Sequence, residues 1–146
     1  MWAHFLPQAR LARRSGTSVG VMAFDESGQA DIVERKVEIL ARAHRLLAEQ
    51  AGFDDEDIVH DPNVFAIGTG IEAHAGYGTA FMEATRELRR RFPHSRVSGG
   101  VSNVSFSFRG NDPAREAIHA VFLYHAVGAG MGMGIVRRLM ALTGLG

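Results

Sequence analysis

Residues 17–52, TSVGVMAFDESGQADIVERKVEILARAHRLLAEQAG, change hydrophobic period part-way along. The opening TSVGVMAF is a short, mostly apolar run closed by Asp25, Glu26 and Gly28, a pattern that suits a strand buried on both faces of a parallel sheet. From Asp31 onward Ile32, Val33, Lys36, Val37, Leu40, Ala43 and Leu47 recur at three and four residues, which predicts a helix ending near Gly52. Asp31 and Glu34 stand at capping-box spacing at its start. A buried strand that leads into an amphipathic helix opens a βαβ unit.

The same alternation continues downstream. After the acidic turn DDED, residues 58–60 (IVH) read as a strand ended by Asp61-Pro62-Asn63. A helix is predicted over about residues 72–92, with Phe81, Thr85, Leu88 and Phe92 on one side; Gly76 and Gly78 weaken its first turns. Residues 96–98 (RVS) form a brief strand that opens at Gly99-Gly100 into a polar and aromatic loop. Asp112 is a good N-cap and Pro113 a good first residue for the helix that follows, through Ile118, Val121 and Leu123. Residues 131–136 are a last strand, and the tail RRLMALTGLG has no obvious place.

Upstream, Phe5, Ala9, Leu11 and Ala12 make a weak helical stripe, with Pro7 tolerable if the helix begins near it. Arg10, Arg13 and Arg14 without acids admit an organelle-targeting reading of the first 24 residues, but the stretch reads better as a helix running directly into a strand. The order is a helix, then strand and helix three times, then a strand, which is an α/β chain with a parallel sheet. Four strands cannot close a (β/α)8 barrel, which typically takes about 250 residues, so a barrel reading makes this chain half of one.

Composition narrows the partners. The 146 residues are 46% hydrophobic and 22% charged, with 16 basic residues against 16 acidic ones, so no overall field favours nucleic acid or an anionic membrane. The absence of cysteine removes disulfides, thiolate zinc sites and a cysteine nucleophile, and fits a reducing, cytoplasmic setting. No run approaches the roughly 18 apolar residues of a membrane-spanning helix.

In open α/β sheets and barrels alike, ligands lie at the carboxyl ends of the strands. The residues there are Asp25-Glu26, Asp61-Pro62-Asn63 and, after Gly99-Gly100, Ser102-Asn103 with Arg109 beyond. Any one of these could be a turn or cap residue. Three strand ends with short polar side chains favour a site. Gly68-Thr69-Gly70 and the GAGMGMG run lack the strand context of a dinucleotide fingerprint and read as turns. The seven histidines show no metal-ligand spacing, and His44, His119 and His125 lie within helical patterns, where a packing or surface role is the simpler reading.

Three strings, VMAFDESGQAD (residues 21–31), DIVHDPNVFAIGTGIEAH (57–74) and SGGVSNVSFSFRGNDPAREAIHAVFLYHA (98–126), resemble the pterin-binding (folate-binding) module of cobalamin-dependent methionine synthase. The likeness runs over about residues 5–136. It implies a dihydropteroate-synthase-like (β/α)8 barrel of which this chain supplies strands five to eight, the C-terminal half, with residues 1–136 as a partial pterin-binding domain and 137–146 as an atypical tail. The implied chemistry is transfer of the N5 methyl of 5-methyltetrahydrofolate to cob(I)alamin, for methionine biosynthesis.

By the same resemblance, Asp61 accepts hydrogen bonds from the pterin's N–H donors, and Asn103 lies near N5, where an amide assists as the nitrogen gains a proton. Ser102, Gly99 and Gly100 shape the wall, Arg109 contacts folate or fixes its loop, and Asp25 and Asn63 give polar support. Cobalamin would be held on another module, no metal on this chain, and the partners would be that module and the remaining barrel half. Departures from the family are Gly20 within a strand usually rich in valine, His60 at an apolar position, and Arg137-Arg138 where an asparagine is usual. The strands carrying further pterin ligands are missing, so the fragment is expected to be weak or inactive alone. The alternatives are dihydropteroate synthase, a corrinoid protein methyltransferase, or a non-catalytic truncated product; the synthase is disfavoured because its loop carries Ser-Arg-Lys where this one has Ser102-Asn103-Val104.

Overall fold

The structure is a computed structural model and describes residues 2–136. The tail at 137–146, including Arg137 and Arg138, lies outside the described residues.

Helix α1 (Trp2–Arg14) buries Ala9, and Trp2, Phe5 and Ala12 pack partly buried beside it. It begins a turn before Pro7, which therefore sits inside the helix and offers no N–H to the carbonyl of Ala3. Arg13 Nε donates to the Gly52 carbonyl at 2.8 Å, tying α1 to the end of the next helix.

The predicted first strand is shorter and less buried than expected. Strand β1 (Val19–Met22) buries only Val21 fully, because it lies at an edge of the sheet with one face open. The chain then makes a small antiparallel hairpin from β2 (Phe24–Asp25) and β3 (Gly28–Gln29), a feature with no sequence signal beyond Gly28, whose φ of 98° closes the turn. Helix α2 (Val33–Arg45) is as predicted, continuing through a π-turn at Leu46–Gln50. The capping box does not form. The N-cap is Ile32, so Asp31 falls outside the helix and Glu34 occupies the second helical position instead of the third.

Strand β4 (Ile58–Asp61) runs one residue further than predicted and is stopped by Pro62. A 3-10 turn at Glu72–His74 precedes helix α3 (Tyr77–Arg91), which starts later than expected, from Gly76. Strand β5 (Arg96–Gly100) takes both glycines into the sheet, and the predicted loop is a 3-10 run, Val101–Phe108. Helix α4 (Asp112–Ala129) is capped by Asn111, whose Oδ1 accepts the Ala114 N–H at 3.2 Å; Asp112 is its first residue and Pro113 its second. Strand β6 (Met133–Ile135) closes the described chain.

The four long-range strands form one parallel sheet in the order β1-β4-β5-β6. Spatial order equals chain order, with none of the reversals of a doubly wound sheet. One face packs on helices: His60 touches His44 of α2, and a side chain at Gly99 would meet Phe81 of α3. Phe81 meets Phe122 of α4, their centroids 5.4 Å apart, so the helices form one layer on that face. Ile58, Val97, Leu40 and Leu88 fill the core between the layers.

The opposite face, by register, carries Gly20 beside Val59, Met22 beside Asp61, Ser98 beside Met133 and Gly100 beside Ile135. Met22, Met133 and Ile135 are 51%, 45% and 72% exposed, so no described element covers this face. Four parallel strands in sequential order, helices on one side and an open, partly apolar face on the other make an α/β fold that is a segment of a (β/α)8 barrel.

Candidate functional site

Asp61 ends β4 on the open face, level with Met22 of β1. Its carboxylate is half-buried, and Oδ1 accepts the Asn63 N–H at 2.9 Å; Oδ2 has no partner among the described residues. Burial pushes the Asp61 pKa up, opposed by the Asn63 N–H and the charge of Lys36. Pro62 prevents further pairing, and Asn63 adopts a left-handed φ of 64°, which asparagine tolerates better than most residues. This turn makes an Asx-type loop that holds the carboxylate at the strand's mouth.

Asn63 faces inward. Its Nδ2 donates to the carbonyls of Ala23 at 2.6 Å and Ala30 at 3.3 Å, fastening the hairpin's two ends to β4, and its Oδ1 is buried without a partner. Asp25 is likewise engaged within the protein. Its Oδ1 accepts the Ser27 N–H at 2.8 Å and Arg35 at 2.7 Å, and these contacts, the Ser27 bond first, hold its carboxyl below the usual range. Both side chains, to which the resemblance gives a supporting polar role, build the hairpin beside the end of β4.

Gly99 and Gly100 owe their identity to opposite faces. A Cβ at Gly99 would lie 2.9 Å from Phe81 and 3.0 Å from Val64 on the helical side. A Cβ at Gly100 would stand 3.0 Å from Asn103 Nδ2, so the Asn103 amide folds over the open face of the strand end. That amide is half-buried and has no hydrogen-bond partner among the described residues. Ser102 is half-buried beside it, and its carbonyl accepts from Ser105 Oγ at 3.3 Å. Arg109 is exposed and lies over the Phe106 ring at 4.6 Å.

Two features carry no motif in the sequence. The 3-10 run is anchored by a buried network in which Arg115 Nε donates to Ser105 Oγ at 2.9 Å and His119 Nε2 lies 2.7 Å from the same oxygen. Its signal is two polar residues four apart on the inner side of α4. Lys36 is the other: it is fully buried under the turn of residues 61–63, and a lysine on the apolar stripe of α2 was its signal. His44 bridges His60 at 3.1 Å and Asp55 at 3.0 Å, while His125 is exposed.

The site therefore pairs a carboxylate at the end of β4 with the Asn103 carboxamide after β5, on neighbouring parallel strands and on one open face. A family model described as pterin binding enzyme matches residues 2–137. The chain belongs to the pterin-binding enzyme family. The match spans every described element. An apolar cleft of about 600 Å³ between α3 and α4 lies on the helical side and is separate from this pair. No helix among the described residues is long and apolar enough to cross a membrane.

Proposed function

We propose that this chain is the pterin-contacting part of a folate-dependent methyltransferase of the methionine synthase type, in which Asp61 and Asn103 bind the pterin ring of 5-methyltetrahydrofolate. The observation that carries the reading is the Asn103 amide, which has no hydrogen-bond partner among the described residues and is laid over Gly100 on the face that Asp61 shares. A reduced pterin offers adjacent N–H and amino donors on one edge, which match a carboxylate with a vacant oxygen. It also offers N5, which an amide N–H or carbonyl can contact as that nitrogen changes its proton count. Ser102 and the Gly99–Gly100 backbone shape the wall, Arg109 stands at the rim, and Asp25 and Asn63 act by shaping the loop.

The methyl acceptor in this reading is cob(I)alamin, carried by another module, and the remaining barrel strands come from a second part. The quoted strings of residues 21–31, 57–74 and 98–126 support methionine synthase over the synthase that condenses pterin with p-aminobenzoate. So does Val104, which stands where that enzyme carries a phosphate-binding lysine.

Calorimetry of the chain against 5-methyltetrahydrofolate and against a hydroxymethylpterin pyrophosphate tests the choice. The expected result is weak, millimolar-range binding of the folate, worth about 4 kcal/mol, and none of the pyrophosphate. Preference for the pyrophosphate would sink the methyltransferase reading, and micromolar folate binding would sink the view that four strands form only part of the pocket.

A further inference from the structure

Lys36 has no exposed surface, yet its ammonium lies within bonding distance of one short turn. Nζ donates to the carbonyls of Pro62 and, at 3.0 Å, Asn63, and stands 4.8 Å from the centre of the Phe65 ring. Burying an ammonium is costly unless its protons and charge are answered, so its presence on an otherwise apolar stripe calls for a role. The turn it grips is the one that positions Asp61: the Asn63 backbone is left-handed, and the Asn63 N–H is the donor to Asp61 Oδ1.

We propose that Lys36 is the positioning residue of this site, clamping the turn of residues 61–63 and holding Asp61 in the ionised form that accepts hydrogen bonds from a ligand. The acids whose charge Lys36 feels are Asp31 and Asp61, and the cation that Asp61 feels is Lys36. Burial alone would drive Asp61 toward the neutral acid, which would present a hydroxyl donor to a ring edge made of donors. The Lys36 charge opposes that. Burial also pushes Lys36 down to about 8, so it remains charged through the range in which Asp61 titrates, and the clamp acts on the acid side of neutrality. The functional meaning of the clamp rests on Asp61 being a pterin acceptor, but the coupling can be measured without a ligand.

Carbon-detected NMR titration of the Asp61 carboxyl, assigned with Asp61→Asn, reads it directly. In Lys36→Met the Asp61 pKa should rise, and Lys36→Arg should return it toward the native value; a role limited to packing would not move this titration. The reciprocal measurement guards against a Lys36→Met chain that fails to fold: in Asp61→Asn, the Lys36 ammonium should titrate lower than in the native chain. An Asp61 midpoint unmoved in folded Lys36→Met, or a Lys36 midpoint unmoved in Asp61→Asn, overturns the proposal. Addition of 5-methyltetrahydrofolate separates the two readings. Intact coupling with an unperturbed Asp61 resonance would uphold the clamp and reject Asp61 as a pterin ligand.

Discussion

Asn103 and Gly100 act as a pair, since any side chain at residue 100 would displace the amide above it. Asn103→Ala removes a polar group with no hydrogen-bond partner among the described residues, so stability should change by less than about 0.5 kcal/mol. Folate affinity should fall roughly tenfold, the worth of one hydrogen bond. A large loss of stability in urea would show instead that the amide is structural. Gly99→Ala puts a methyl against Phe81 and Val64 and should cost about 1–3 kcal/mol in the same assay. His60 gives a pH signature. Burial, helped by neighbouring His44 and opposed by Asp55, pushes its pKa from 6.5 to about 4. The unfolded chain gains a proton near pH 6.5 that the native chain refuses until near pH 4, so stability present above 6.5 is lost as pH falls through that window. The loss should approach about 3 kcal/mol, and the difference between the native chain and His60→Leu across urea titrations from pH 7 to pH 4 isolates it. A pH-independent difference contradicts a neutral, buried His60. At this scale the sequence displayed the positions of Asp61 at the end of one strand and Asn103 just after the next, because strand breakers and glycine pairs are local. It did not display that Asn63 and Asp25 turn inward, which depends on Ala23, Ala30 and Arg35 arriving from elsewhere in the chain.

The elements show the same division. Helices α2 and α4 and the strand at residues 58–61 were legible from period and breakers, whereas caps were misplaced by one residue. Asn111 captures the Ala114 N–H, although Asp112 has equally good credentials by type, because the chain leaves the left-handed Gly110 with Asn111 still non-helical, at φ −122° and ψ 80°. Asn111→Ala should therefore destabilise the chain by about 1 kcal/mol and Asp112→Ala by less, as measured by chemical denaturation. Equal costs would return the cap to Asp112. The hairpin β2–β3 was invisible since two-residue strands carry no periodicity, and it is held by Asn63 and Arg35 as well as by its own Asp25.

Over the whole molecule, alternation of strand and helix made the parallel sheet legible, and sequential strand order turned it into a barrel segment. What composition could not reveal is that β1 would be half-open. A buried-looking apolar run and an edge strand differ only in what lies beside them. The uncovered face with Met22, Met133 and Ile135, flanked by edges at β1 and β6, should drive association. Light scattering should show mass rising with concentration, and a monomer at every concentration would count against an exposed face.

The central claim is that Asp61 and Asn103 bind one pterin ring from the open face. Two-dimensional NMR of the chain titrated with 5-methyltetrahydrofolate tests it most directly. The account predicts saturable shifts of the Asn103 side-chain amide and the Asp61 carboxyl together, with the α3–α4 cleft residues Thr79 and His125 silent. Shifts confined to that cleft, or an Asn103 amide unmoved at saturation, would contradict it.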